Sequence, residues 1–556
     1  MESDNNSKKK SKLGLIFAVI VLIAILGLLC WYFTVGKDYF KKENGDTSVS
    51  KKTEEDKVEG EEREEVASEY VITSNSLGKF DLEFLKLENE EENKIYSPIS
   101  IKYTLCMLNE GTSEKTKKQI ERVVGNYTPK KYYNSKNISF ANAFFIRDTF
   151  KNSVKEKFVS NLLDKYGADV QYDSFSSANN INSWISDKTL DLINNTLDDS
   201  DVQELNFALI NALAIDMDWE DKFLAHKDAY ADYDHEKFNW TAPETIIKGK
   251  FEGVNDAISG MQVISSINNY DIVNTLGEEE IRKTVGDAFR THLEKHPDSY
   301  FFSDGEDIES IVSSYLDGYI ETLNGHYKDV TTNTEYSFYV DDNVKAFGKD
   351  LKEYDDVNLQ YVAIMPKSEE LSSYIENSNA DSINEVISSL KDLKSENFKN
   401  GVITAISGYI PKFKFDYELD LMNDLKEMGI TDVFDERKAN LDEMTTEDDA
   451  YIGKAMHKAN IEFTQDGIKA AAVTMAGGMG AGEEFNYNYD VPVEQIDLTF
   501  DKPYVFFIID KETGDVWFTG TVYEPLLLDD EPEKDNYILD EMSKFYINEK
   551  ETIVTY

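Results

Sequence analysis

The stretch Gln465-Asp466-Gly467-Ile468-Lys469-Ala470-Ala471-Ala472-Val473-Thr474 limits what this chain can become more than any other. Asp466-Gly467 is a turn signal. The residues after it are small or β-branched, so the run suits a strand but lacks the large apolar side chains that would hold one in place alone. Such a segment can slip between existing strands without displacing a packed core. The run Met475-Ala476-Gly477-Gly478-Met479-Gly480-Ala481-Gly482 comes next, and its glycines keep the tip extended and reachable by another protein. Directly upstream, Ala459, Ile461 and Phe463 alternate with Lys458, Asn460 and Glu462, the period of a strand. A hinge therefore leaves the end of a strand.

Further motifs stand in order along the chain. They are Tyr96-Ser97-Pro98-Ile99-Ser100-Ile101, Asn182-Ser183-Trp184, Asn211-Ala212-Leu213 through Trp219-Glu220, and Tyr409-Ile410-Pro411-Lys412-Phe413. After the hinge comes Phe500-Asp501-Lys502-Pro503-Tyr504 through Tyr523-Glu524-Pro525. Together with the hinge these make the chain resemble the serpin family over about residues 74–525. The resemblance implies an α+β serpin fold: three β-sheets with surrounding helices and a mobile reactive-centre loop. It implies no enzyme but a serine-type endopeptidase inhibitor working as a suicide substrate. A protease cuts the loop and is acylated, and the freed strand enters the central sheet and distorts the enzyme.

Residue by residue, 465–474 match the hinge, and the family's spacing puts the candidate reactive bond at Ala481-Gly482, with flanking Met479 and Glu483 as further candidates. Ser97, Ser100, Asn182 and His457 match the polar shutter that lets the sheet open, and Trp219 belongs with the same shutter and breach set. Ile468 stands where a small Thr or Ser is usual and Lys469 where a Glu is usual, although Lys469 faces solvent if Ile468 faces in. A small residue before the reactive bond suits a shallow specificity pocket. Elastase-like or subtilisin-like serine proteases are the expected partners, with papain-like cysteine proteases as the alternative. No cofactor is implied, and a monomer is expected. The rival reading is a non-inhibitory binding protein that docks partners on an inserted helical segment or on Phe485-Asn486-Tyr487-Asn488-Tyr489.

The chain is long enough for a large core, with 556 residues of which 41% are hydrophobic. Its 107 acidic against 58 basic side chains leave a charge of −49, which repels nucleic acid. Only Cys30 and Cys106 occur, and no internal disulfide is expected. Residues 1–12 form a basic cytoplasmic end, and Leu13–Gly36 runs 24 residues without charge, long enough to span a bilayer. Lys37 to about residue 70 is a charged tether and 71–525 is the folded domain, facing outside. The expected whole is a membrane-anchored, prokaryotic member of the family; a cleaved signal peptide is the competing reading of 13–36.

Within the domain, about 250–330 interrupts the family pattern. Ile281, Val285, Phe289 and Leu293, then Ile308, Ile311, Val312, Tyr315, Tyr319 and Leu323, predict an inserted helical pair. His292 and His296 have a zinc-compatible spacing, but Leu293 replaces the glutamate of the metalloprotease motif, and no metal is expected. An acidic extension, 526–556, ends the chain.

Overall fold

The computed structural model describes residues 77–527, apart from 126, 133, 195, 222, 224–244, 249–256, 297–306, 465–486, 488 and 490. The basic end, the uncharged 13–36 segment, the tether, the hinge, the Ala481-Gly482 bond and residues 528–556 lie outside the described residues. The chain divides into two compact units, Met1–Ala67 and Ser68–Tyr556, and the fold below is that of the second. Among the described residues no helix is long and apolar enough to cross a membrane.

Five helices matter here: α1 (Lys79–Leu87), α2 (Pro98–Asn109), α3 (Asn179–Lys188), α4 (Glu278–Lys295) and α5 (Ile308–Gly325). Eight strands do: β1 (Ile138–Arg147), β2 (Asp169–Asp173), β3 (Phe207–Ile215), β4 (Ala257–Asn268), β5 (Ile403–Pro411), β6 (Phe413–Asp420), β7 (Met456–Phe463) and β8 (Val493–Asp497).

The largest sheet has seven strands, in the order 94–96, 516–522, 504–510, 359–366, 344–350, 337–340, 391–392. Apart from Gln360 and the terminal Asp510, its middle strands Leu359–Pro366 and Tyr504–Asp510 read as apolar runs, because both faces are covered and leave no solvent side to alternate with. At its edge Gly520 is required by contact: a Cβ there would meet the Lys94 carbonyl oxygen at 1.9 Å. A second sheet places β4 antiparallel to β5 and β8 parallel to β5, from Ile403 opposite Val493 to Ser407 opposite Asp497.

Helix α2 starts where the sequence says it should. Ser97 caps it by accepting the Ser100 N–H at 3.2 Å, and Pro98 takes the first turn, where a missing N–H costs nothing. Helix α1 buries Phe80, Leu82, Phe84 and Leu85 against the seven-stranded sheet. Asp81 is carried inward with them. Its carboxylate is enclosed and meets the equally enclosed Lys102 ammonium at 2.9 Å, so neither charge is left unpaired in the core.

The helical insertion is present and narrower than the interrupted stretch, for β4 already belongs to the second sheet. Ile281, Val285, Phe289 and Leu293 share one apolar cluster with Val312, Leu316, Tyr319, Ile320 and Leu323, separate from the main core. Ile308, expected in that stripe, is 43% exposed at the first turn of α5, while Leu316 and Ile320 take the buried places that its rhythm seemed to offer.

Candidate functional site

The third layer is a sheet in two parts. β2, β1 and β3 form one part, with β1 antiparallel to β3 and parallel to β2; β6 and β7 form the other, antiparallel from Phe413 opposite Phe463 to Asp420 opposite Met456. Among the described residues no ladder joins β3 to β7. Their edges face each other across a cavity of about 480 Å³, lined by Phe207, Leu209, Asn211 and Leu213 of β3 and by His457 and Ala459 of β7. Helix α2 floors it with Ser100 and Thr104. Among the described residues no further strand pairs with these two edges, and edge donors and acceptors are what an incoming strand needs.

The residues that span this seam sit at two levels. At the lower level the Ser97 N–H donates to His457 Nε2 at 3.0 Å, and the Ser100 hydroxyl donates to the Asn211 side-chain oxygen. The Asn211 amide then donates to Asn142 Oδ1 at 2.7 Å, and the Asn142 amide to the Tyr166 carbonyl at 3.3 Å. One network therefore ties the N-terminus of α2 to β7 through His457 and to β3 and β1 through the two asparagines. Burial holds the His457 imidazole down to about 4, so it is neutral at physiological pH and its Nε2 is free to accept.

At the upper level the Trp219 indole N–H donates to the Thr464 carbonyl at 3.0 Å, at the last described residue before the hinge. Trp219 is buried and meets Phe463 edge-on at 5.3 Å. Beneath it lies Lys349, 1% exposed, whose ammonium donates to the Thr334 hydroxyl and the Glu335 carbonyl at 2.7 Å and sits 4.5 Å from the Phe223 ring centroid. Burial pushes this lysine down to about 8, against the pull of Asp221, Glu335 and Asp350.

Of the residues singled out in the sequence, Ser97, Ser100 and His457 are brought together and Trp219 caps the same seam. Asn182 is elsewhere: on α3, its amide donates to the Leu197 carbonyl at 2.7 Å and its oxygen accepts the Leu197 N–H at 2.9 Å, closing a loop. The asparagines in the network are Asn211 and Asn142. Their position inside otherwise apolar strands, Leu209-Ile210-Asn211-Ala212 and Ala141-Asn142-Ala143-Phe144, is the signal that could have found them, since a buried amide demands partners. His292 and His296 stack at 4.7 Å between centroids at the end of α4, and the described residues contain no group of three or more His, Cys, Asp or Glu able to hold a metal ion. Cys106, half-buried on α2, has its thiol pushed up to about 12 by burial, which leaves it inert.

The chain thus carries a sheet parted between β3 and β7, with β7 leading on to residue 465. The serpin (serine protease inhibitor) family pattern matches residues 76–237 and 331–525, and the chain belongs to that family. The helical hairpin α4–α5 lies in the unmatched stretch between. Rat serpin B10 is 36% identical over 117 residues, covering 21% of this chain and 27% of that relative's length. A serpin-like protein of Methanosarcina acetivorans is 23% identical over 476 residues, 82% of this chain and 86% of its own. Human neuroserpin is 23% identical over 465 residues, 79% and 88% of the two chains. Among solved structures, the native state of the thermophilic serpin tengpin has a TM-score of 0.52 at 21% identity, covering 80% of this chain and 92% of that one, a likeness of fold.

Proposed function

We propose that the chain inhibits serine proteases as a suicide substrate. The observation that supports this reading best is the open seam: β3 and β7 face each other unpaired, and β7 runs directly toward the small-residue hinge. The protease serine attacks the carbonyl before the reactive bond, the C–N bond breaks, and the amine leaves with the proton. The acyl-enzyme then remains on the hinge side. Insertion of 465–474 between β3 and β7 satisfies both edges and carries the enzyme away before water can deacylate it. Ala481-Gly482 as the reactive bond favours elastase-like or subtilisin-like targets, with papain-like cysteine proteases as the alternative. In this reading Leu13–Gly36 anchors the inhibitor and leaves it on the outer face of a membrane. A prokaryotic source belongs to the same reading.

The experiment is direct. Mixed with an elastase-like and a subtilisin-like protease, the protein should give a protease-sized mass increase that survives boiling in detergent. Clean cleavage with full recovery of protease activity would instead favour the binding-protein reading, for which the packing of Tyr487 and Tyr489 onto the insertion is the supporting observation.

A further inference from the structure

The core of the α4–α5 hairpin does not end with the hairpin. The same apolar cluster contains Ile403 of β5 and Val491, and packed against it are Tyr487, Tyr489 and Val493, the stem through which the chain leaves the reactive loop and enters β8. The Tyr319 hydroxyl of α5 donates to the Tyr487 carbonyl at 3.0 Å, the Tyr487 and Tyr489 rings meet at 4.9 Å, and the Ile403 N–H donates to the Pro492 carbonyl at 2.9 Å. The hairpin itself is stiff. Arg282 joins Glu278 to Asp317 across the two helices at 2.8 and 2.7 Å, Arg290 joins Asp287 to Glu309 at 2.9 Å, and at Gly286 the helices come so close that a Cβ would meet Leu316 Cδ1 at 3.2 Å. A rigid body absent from the family pattern is thus fastened to one end of the loop.

We propose that this insertion is a staple on the C-terminal stem of the reactive loop, holding the intact loop back from the seam until it is cut; the inference rests on the insertion reading of the proposed function. The loop has two attachments, Thr464 under Trp219 and Tyr487 under Tyr319. Every residue an uncut loop lays between β3 and β7 is drawn from the slack between them. Pinning the chain at Tyr487 instead of at Val493 removes residues 487–492 from that slack, roughly 20 Å of extended chain. Uncut insertion must therefore either stop short or strip two tyrosines and a valine from an apolar core. Cleavage anywhere between the attachments removes the constraint completely, because the hinge no longer pulls on the stem. Tyr319, Tyr487 and Tyr489 are positioning residues in this scheme: they touch neither protease nor reactive bond.

The test uses the full chain, intact and nicked within the loop, as wild type, Tyr319→Phe and the double variant Tyr487→Ala/Tyr489→Ala. Intact protein is incubated at a temperature below its melting point, and the fraction that becomes resistant to loop cleavage and to urea is followed with time. Losing one hydrogen bond should make Tyr319→Phe convert roughly threefold to tenfold faster. Losing two aromatic anchors should accelerate the double variant by about a hundredfold. Each nicked form should melt above its intact counterpart, since the cut has already uncoupled hinge from stem, while the double variant loses the same packing in both forms. Intact lifetimes equal to wild type would overturn the staple and leave the inhibitor reading standing. Nicked wild type melting no higher than intact wild type would overturn the insertion reading, and the staple with it.

Discussion

His457 is the residue on which the seam's closure depends most sharply on pH. In the folded chain its Nε2 accepts the Ser97 N–H; a proton there would set two donors against each other in an enclosed site. The folded value of about 4 lies below the ordinary 6.5, so between these values the unfolded chain binds a proton that the native chain does not. Stability from this group is therefore fully present above about pH 6.5 and is lost as pH falls toward 4, by about 2 kcal/mol at pH 5 and less to the extent that cavity water reaches the ring. Asp424 acts in the opposite sense: burial, with Glu88 and Asp420 nearby, pushes its carboxyl up to about 7, so it gains stability as pH falls through the same window. The two slopes offset each other in the wild type, and the measurement has to be a difference. His457→Phe should lose stability at pH 7.5, and its deficit against wild type should shrink at pH 5.0 when urea midpoints are compared. A deficit identical at both values would mean that the ring titrates as it does in water. The residue scale is also where the sequence was least legible. Ser97 and Ser100 announce themselves beside a proline at a helix start, but which of many asparagines completes the network depends on strand pairing far apart in sequence. Asn142 and Asn211 meet only because β1 and β3 pair with these two residues directly opposite.

At the scale of elements, strands with a clean period were legible and their pairing was not. The alternation in 458–463 marks β7, and the core-facing set His457, Ala459, Ile461 and Phe463 follows from it; nothing local says that β7 pairs only with β6 and leaves its other edge open. The insertion's helices could be read from apolar spacing, while their docking onto Tyr487 and Tyr489 could not, because a short aromatic-asparagine run has no period to interpret. The same period-of-two logic predicts the facing of the inserted hinge. Ile468, Ala470 and Ala472 share one side of a strand, and that side is the buried one if Lys469 is to remain in water. Ala472→Arg should then fold and be cut normally, yet fail to trap its protease. Burying an unpaired guanidinium costs roughly several kcal/mol and slows insertion until the acyl-enzyme hydrolyses. The quantity to measure is moles of inhibitor consumed per mole of protease inactivated. A value unchanged from wild type would put residue 472 on the solvent side and overturn this register.

For the molecule as a whole, the proposed inhibitor reading requires that the folded chain hold free energy in reserve at the seam. β3 and β7 run for nine and eight residues, and an inserted strand would pair along both edges at once, gaining hydrogen bonds on each side and covering the cavity between them. At about 1 kcal/mol net for each hydrogen bond, a strand of this length is worth on the order of 10 kcal/mol before any apolar area is counted. On the proposed reading the intact chain is held back from collecting this while its loop is uncut, so nicking within 475–484 should raise the melting midpoint by about 10 °C or more. The increase should be confined to the part of the molecule that changes. Hydrogen exchange at β3 and β7 should slow strongly after nicking, whereas exchange in the seven-stranded sheet, already paired on both sides of its middle strands, should follow only the gain in global stability. Both readings come from the same two samples, intact and nicked. Equal melting midpoints with unprotected β3 and β7 edges would show that the seam does not accept the hinge, and the protein would then be a binding scaffold that has kept the fold of an inhibitor without its spring.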